Sequence, residues 1–224
     1  LCDIKTIYDW DFRGAENDIR KGIQDNPGSY ALHGYYSNLL MALGRYEEAL
    51  AEAKLAMSGD PLSPESLARP SNIYYFWRKY DLALEGIKKA LEMDPQNAYW
   101  YINQAMICVA MGRYEDARAA NQRRREILGT SSEPEDLDEW SALVYALNGN
   151  PARAREIMAN MKEFVKDKYY PYHMLAWVHA ALGEKDEAFF WLEKAYQERS
   201  GQLYLLKVHP LADPLRDDPR FADL

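Results

Sequence analysis

Four histidines, at positions 33, 173, 179 and 209, and two cysteines, Cys2 and Cys108, are the side chains best suited to catalysis or metal binding in this 224-residue chain. Only His173 and His179 are near each other. A step of six does not stack two side chains on one helix face as a step of three or four does. No cysteine joins them at a spacing that zinc would use. Two thiols make no disulfide framework and leave the redox compartment open. The sequence has no phosphate-cradling glycine loop, no dinucleotide fingerprint and no G-x-S-x-G nucleophile turn. Acidic pairs such as Glu47-Glu48 and Asp186-Glu187 fall where helices should begin, and the helix dipole favours carboxylates there. They read as structural rather than as a general acid and base. Arg123-Arg124-Arg125 falls at an expected helix C-terminus, where the same dipole favours cations, so a basic docking patch is the weaker reading. These residues point away from an enzyme, and no cofactor or metal is expected.

Composition narrows the classes further. Hydrophobic residues make up 48% and charged residues 28%, enough apolar material for an extended core. A formal charge of −8 argues against nucleic-acid phosphate as the main partner. No apolar run approaches the roughly 18 residues that span a bilayer, so this domain is not expected to contact membrane. The chain opens at Leu1 rather than at a methionine and reads as a piece of something longer.

The elements that would carry any functional residue repeat. Residues 43–61 read as a turn, an amphipathic helix and a stop, marked by Gly44, Tyr46, Ala49, Ala56 and Pro61. A step of 34 leads to Tyr80, Ala83, Ala90 and Pro95, and a second to Gly112, Tyr114 and Ala117. One step back lie Phe12, Ala15, Gly22 and Pro27. Such a period signals stacked hairpins, none of which buries its apolar face alone. The array divides into a partial unit 1–29, units 30–63, 64–97, 98–131, 135–168 and 169–202, and a capping segment 203–224. Ser29 and Ser63 are expected N-caps, with Pro64 in the first helical turn. Ser132 and Glu135 fit a capping box and predict a helix start there. Ala49, Ala53 and Ala56 share one helix face and let the paired helix approach. Two departures stand out in the third unit. Pro70 should shorten or bend the first helix, and Arg78 stands where the other units have glycine. The proline-broken tail predicts one or two short helices over the last unit, with Leu205, Leu206, Val208, Leu211, Leu215 and Phe221 turned inward.

These glycine, aromatic, alanine and proline positions, in register over nearly all of residues 1–202, resemble the tetratricopeptide repeat (TPR) family. The ending KVHPLADPLRDDPRF resembles the tail of bacterial arrays joined to winged-helix, cyclase or serine/threonine-kinase regulators. The resemblance implies an all-α, right-handed superhelical solenoid of antiparallel helical hairpins, with about 11–13 helices. It implies a non-enzymatic scaffold that binds a peptide or protein segment in a concave groove lined by the first helices. Carried onto this chain, the groove positions are Tyr35 and Asn38, then Arg69, Asn72 and Tyr75, then Tyr99 and Asn103. Trp140, Tyr170, His173 and Trp177 would make its far end aromatic. Asn38 and Asn72 hold the same position in adjacent units and could pair an extended backbone, a reading no stronger than that of polar residues on a solvated face. Arg69 is the cation placed for a carboxylate. The carboxylate clamp of chaperone-binding members is matched only at Asn38; Gly34, Tyr99 and Asn103 stand where its cations would be. A regulatory or homodimerising domain of a larger signalling protein is the second reading. Small-molecule sensing in the groove is the third.

Overall fold

A computed structural model describes residues 2–59, 61, 63–130, 138–164 and 172–224, excepting the side chains of residues 2, 3 and 164. Its helices are α1 (Cys2–Ile7), α2 (Phe12–Asp25), α3 (Tyr30–Ala42), α4 (Tyr46–Met57), α5 (Pro64–Phe76), α6 (Tyr80–Met93), α7 (Ala98–Ala110), α8 (Tyr114–Ile127), α9 (Glu139–Leu147), α10 (Pro151–Phe164), α11 (Tyr172–Ala181), α12 (Lys185–Gln197) and α13 (Arg220–Asp223). Short 3-10 turns lie at Leu203–Leu205 and Pro210–Leu215. No strand occurs among the described residues. The helices gather into two compact units. The first comprises Leu1–Gln96 with Tyr204–His209, and the second comprises Asn97–Leu203 with Pro210–Leu224.

In the first unit α1 pairs with α2, α3 with α4 and α5 with α6, and α2 and α4 pack against the helices that follow them. In the second, α7 pairs with α8, α9 with α10 and α11 with α12, and α9 also packs on α8 and α11. Each pair from α3 onward holds a fully buried alanine on its second helix: Ala49, Ala83, Ala117, Ala154 and Ala188. The expected small-residue face therefore forms, although Ala56, in the last turn of α4, is half-exposed. Ser29 and Ser63 cap α3 and α5 as expected, accepting from the backbone N–H groups of Leu32 and Ser66.

One turn geometry closes these five hairpins. After α3, Arg45 N–H donates to Leu40 O at 2.9 Å and Gly44 N–H to Met41 O at 3.0 Å, which satisfies carbonyls the helix leaves open. The residue at the bend must be left-handed, and Gly44, Gly112, Gly149 and Gly183 are, with φ between +71° and +76°. Arg78 takes the same position with φ +63°. A side chain in that region costs about 1–2 kcal/mol. Arg78 offsets it through Nη1, which donates to Phe76 O and to Val208 O, both at 2.8 Å. Arg78→Ala keeps the strain and loses both bonds, whereas Arg78→Gly loses the bonds and the strain together. Urea unfolding is expected to rank wild type above Gly and Gly above Ala, with about 1 kcal/mol between the two variants. Equal losses would show that the left-handed conformation is unstrained.

The helix carrying Pro70 neither starts late nor breaks, since α5 runs unbroken through it. Gly86 on α6 lets α5 approach closely, since a Cβ there would stand 2.0 Å from Ser71 Oγ and 3.4 Å from Leu67 O. The next difference is at α9, which begins at Glu139 behind Asp138, an extended residue (φ −120°, ψ 107°) that caps it. The box expected at Ser132 and Glu135 lies outside the described residues. The tail differs as well. The sequence reading lays all of it over the last unit, but only Leu203 and Pro210–Leu224 belong to the second unit, where Pro210–Leu215 packs on α11. Tyr204–His209 belongs to the first unit, where the His209 ring meets Phe76 edge-on at 5.6 Å and Tyr75 at 6.1 Å. The physical reason is that Arg78 offers a donor for the Val208 carbonyl, and Tyr75 and Phe76 offer an apolar seat.

Candidate ligand-binding face

In the first unit, the roll of α3 about its axis is set by three inward side chains. His33 Nδ1 meets Glu52 of α4 at 2.6 Å and its Nε2 meets Pro27 O at 3.0 Å. Burial opposes the imidazolium, but the Glu52 and Pro27 hydrogen bonds outweigh it and raise the His33 pKa. Ser37 Oγ donates to Ala49 O at 2.9 Å. The Tyr36 hydroxyl donates to Glu16 of α2 at 2.9 Å, and that carboxylate also accepts from Arg45 at 2.7 Å and Arg20 at 2.9 Å. Burial alone would raise the Glu16 pKa, but hydrogen bonds from Arg45, Tyr36 and Arg20 bring it down to about 2. With positions 33, 36 and 37 held inward, the helical period turns Tyr35 and Asn38 outward. Tyr35 is 41% exposed and Asn38 is open to solvent.

On α5 the equivalent positions are half-exposed at Arg69 and Asn72 and closed at Tyr75, which is 3% exposed. Among the described residues, neither Asn38 nor Asn72 makes a side-chain hydrogen bond, and Arg69 has neither a hydrogen bond nor an ion pair. The structure brings α3 and α5 together through a contact that sequence reasoning did not single out. A Cβ on Gly34, which is buried in α3, would meet the Arg69 guanidinium at 3.3–3.6 Å. A glycine in mid-helix costs about 0.5–1 kcal/mol relative to alanine, and that cost was the signal that a close approach occurs there.

The second unit gives its expected positions a different role. Tyr99 is 53% exposed, but Asn103, Trp140, His173 and Trp177 are all buried and pack the interior rather than line an open face. Every residue from His173 to Ala180 on α11 is buried, because α9, α12 and the Pro210–Leu215 turn surround that helix. His173 Nδ1 is hydrogen-bonded to Ser200 Oγ at 3.0 Å, and burial lowers its pKa to about 4. Tyr170 lies outside the described residues. The basic run is also committed internally. Arg123 pairs with Glu126, Arg124 with the buried Asp138, and Arg125, 6% exposed, donates to Thr130 O.

Among the described residues, no group of three His, Cys, Asp or Glu could hold a metal ion. No described helix is long and apolar enough to cross a membrane.

A family model described as tetratricopeptide repeat matches residues 11–64 and 72–127, and another of that description matches residues 169–200. Among solved structures, a tetratricopeptide repeat protein from Parabacteroides merdae ATCC 43184 is similar at 18% identity. The match covers 92% of this chain and 79% of that one, with a TM-score of 0.65. A thermophilic tetratricopeptide repeat protein in Thermus thermophilus is 23% identical over 84% of this chain and 99% of that one, with a TM-score of 0.53. At these identities the likeness is one of fold. No curated protein matches the chain.

Proposed function

The chain belongs to the tetratricopeptide repeat family, and on that footing we propose that it binds an extended peptide segment of a partner protein along α3 and α5 of its first unit. The fold is generally a non-enzymatic scaffold for protein–protein interaction. The observation that carries the reading is the pair Asn38 and Asn72. They hold equivalent positions in successive hairpins, they face solvent wholly or in part, and neither amide has a hydrogen-bond partner among the described residues. Each amide offers a donor and an acceptor, the pair of functions that an extended peptide backbone presents in return. Tyr35 adds an exposed aromatic surface on the same side of α3.

A bead-displayed pool of random peptides, read by fluorescence polarisation against the whole chain, tests this directly. Asn38→Ala and Asn72→Ala are each expected to weaken the ligands found by about 5–30-fold, the range for one or two lost hydrogen bonds. Ligands indifferent to both substitutions would place the binding surface elsewhere.

A further inference from the structure

Asn148 and Gly149 lie in the turn between α9 and α10, and theirs is the only Asn-Gly step in the sequence. An asparagine is chemically labile where the next backbone nitrogen can reach its side-chain amide carbon. A following glycine leaves that nitrogen unshielded, because it carries no side chain. Both residues are exposed, and a Cβ built on Gly149 would meet nothing within 4 Å.

The peptide plane between them is also untied. In the other four hairpins the nitrogen at the bend donates back into the first helix. Gly44 donates to Met41 O and Gly112 to Val109 O at 3.0 Å, and Arg78 to Tyr75 O and Gly183 to Ala180 O at 3.1 Å. Gly149 N–H makes no such bond among the described residues, and there neither the carbonyl nor the side-chain amide of Asn148 has a hydrogen-bond partner. In the turn as it stands, ψ of Asn148 is 18°, which points the Gly149 nitrogen away from the side chain. Attack needs rotation about the Asn148 Cα–C bond. A flip of this one peptide plane supplies it, turning ψ of Asn148 one way and φ of Gly149 the other while both helices keep their places. Glycine accepts φ of either sign, and the flip breaks no hydrogen bond. The bond that closes the turn, Asn150 N–H to Tyr145 O at 2.9 Å, lies outside that plane.

We infer that Asn148 is a site of spontaneous deamidation in the folded protein, and that its isoaspartyl product loosens the α9–α10 hairpin. The Gly149 nitrogen gives its proton to solvent base and bonds to Asn148 Cγ. The Cγ–Nδ2 bond breaks, and ammonia leaves with a proton from solvent. Water then opens the five-membered ring. Cleaving the bond from Cγ to nitrogen gives aspartate, and cleaving the bond from the backbone carbonyl to nitrogen gives isoaspartate, with the chain rerouted through Cβ and Cγ. That route adds a backbone atom to a connection that spans only residues 148–150. The same connection must bring Asn150 to Tyr145 O and, through Oδ1, to Arg153 N–H at 3.3 Å. Either product also places a carboxylate at the C-terminus of α9, where the helix dipole disfavours it. The turn belongs to the second unit, and its chemistry is independent of what α3 and α5 bind.

The test ages the whole chain at mildly alkaline pH, both folded and in guanidinium chloride. Peptide mapping locates the change, and methyl transfer from S-adenosylmethionine by an isoaspartate methyltransferase counts the isoaspartate. Residue 148 should convert before any other asparagine, and in the folded chain within about tenfold of the unfolded rate, since only a local flip intervenes. A route through global unfolding would slow it by about a thousandfold or more. Protection beyond about 100-fold, or faster conversion of another asparagine, overturns the site. Hydrogen exchange should show α9 and α10 opening about 5–10-fold more often in the isoaspartyl form than in the fresh chain. Asn148→Asp adds the charge without the extra backbone atom, and it should loosen the hairpin less. An isoaspartyl form no looser than Asn148→Asp would overturn the effect assigned to the rerouted chain.

Discussion

Asp138→Ser is expected to destabilise the second unit by about 3–5 kcal/mol, the cost of leaving a buried charge without its partner. Asp138 and Arg124 have side chains only 9% and 13% exposed, and they are joined as an ion pair. The Asp138 carboxylate is fully used. Besides Arg124, it accepts from Asn121 Nδ2, from Ser141 N–H at 2.9 Å and from Ser141 Oγ–H at 2.6 Å. Serine keeps an N-cap for α9 but provides no charge, so the substitution isolates the ion pair from the cap. The double variant Arg124→Met with Asp138→Ser removes both charges, and it should recover all but about 1 kcal/mol of the loss. Hydrogen exchange over α8 and α9 reads the effect locally, which suits a chain that divides into two compact units. A single variant that loses less than about 1 kcal/mol, or a double variant no better than the single, would show that water already screens this pair.

The second large effect follows from pH. Burial lowers the His173 pKa from 6.5 to about 4. The unfolded chain therefore binds this proton before the native one does. Its contribution is intact above pH 6.5, falls as pH drops from 6.5 toward 4 and levels off below that, a loss of about 3 kcal/mol in full. His179 adds in the same direction, because burial lowers its pKa too, despite the hydrogen bond to Glu184. His33 in the first unit runs the other way. Its pKa is raised, so its contribution is fully present below 6.5 and is lost as pH rises through the native value. His173→Asn keeps a polar atom near the position of Nδ1, which can still meet Ser200 Oγ, and it removes the titration. Urea unfolding at pH 7 and pH 4.5 should show the wild type losing about 2–3 kcal/mol more than the variant between the two values. Parallel losses would mean that His173 takes up its proton without cost in the folded state.

The candidate face was partly legible in the sequence. The repeat placed Asn38 and Asn72 at one position of successive units, and they stand exposed on α3 and half-exposed on α5. The same carry-over marked Tyr75, Asn103, Trp140, His173 and Trp177, all of which are buried. Register tells which helix face a residue occupies, but burial depends on what covers that face. For Tyr75 the His209 ring is part of the cover, and for α11 the Pro210–Leu215 turn is. The role of Gly34 was missed for a related reason. A missing side chain is visible in a sequence, but the group that fills the space is not.

What the sequence determined by itself is local. Gly44 and its equivalents bend left-handed because no side chain opposes it, Ser29 and Ser63 cap because their hydroxyls reach the next free N–H groups, and Ala49 recurs because two helices must touch. Each of these acts within one hairpin, so a repeat of 34 carries it from unit to unit. The tertiary structure decided everything that joins distant segments. It put Arg78 on the carbonyl of Val208, 130 residues away, it committed Arg124 to Asp138, and it laid Arg69 over Gly34 instead of beside Glu65. Those choices follow from desolvation. A charge partly removed from water takes the acceptor or the surface that packing brings to it, and packing is a property of the whole fold.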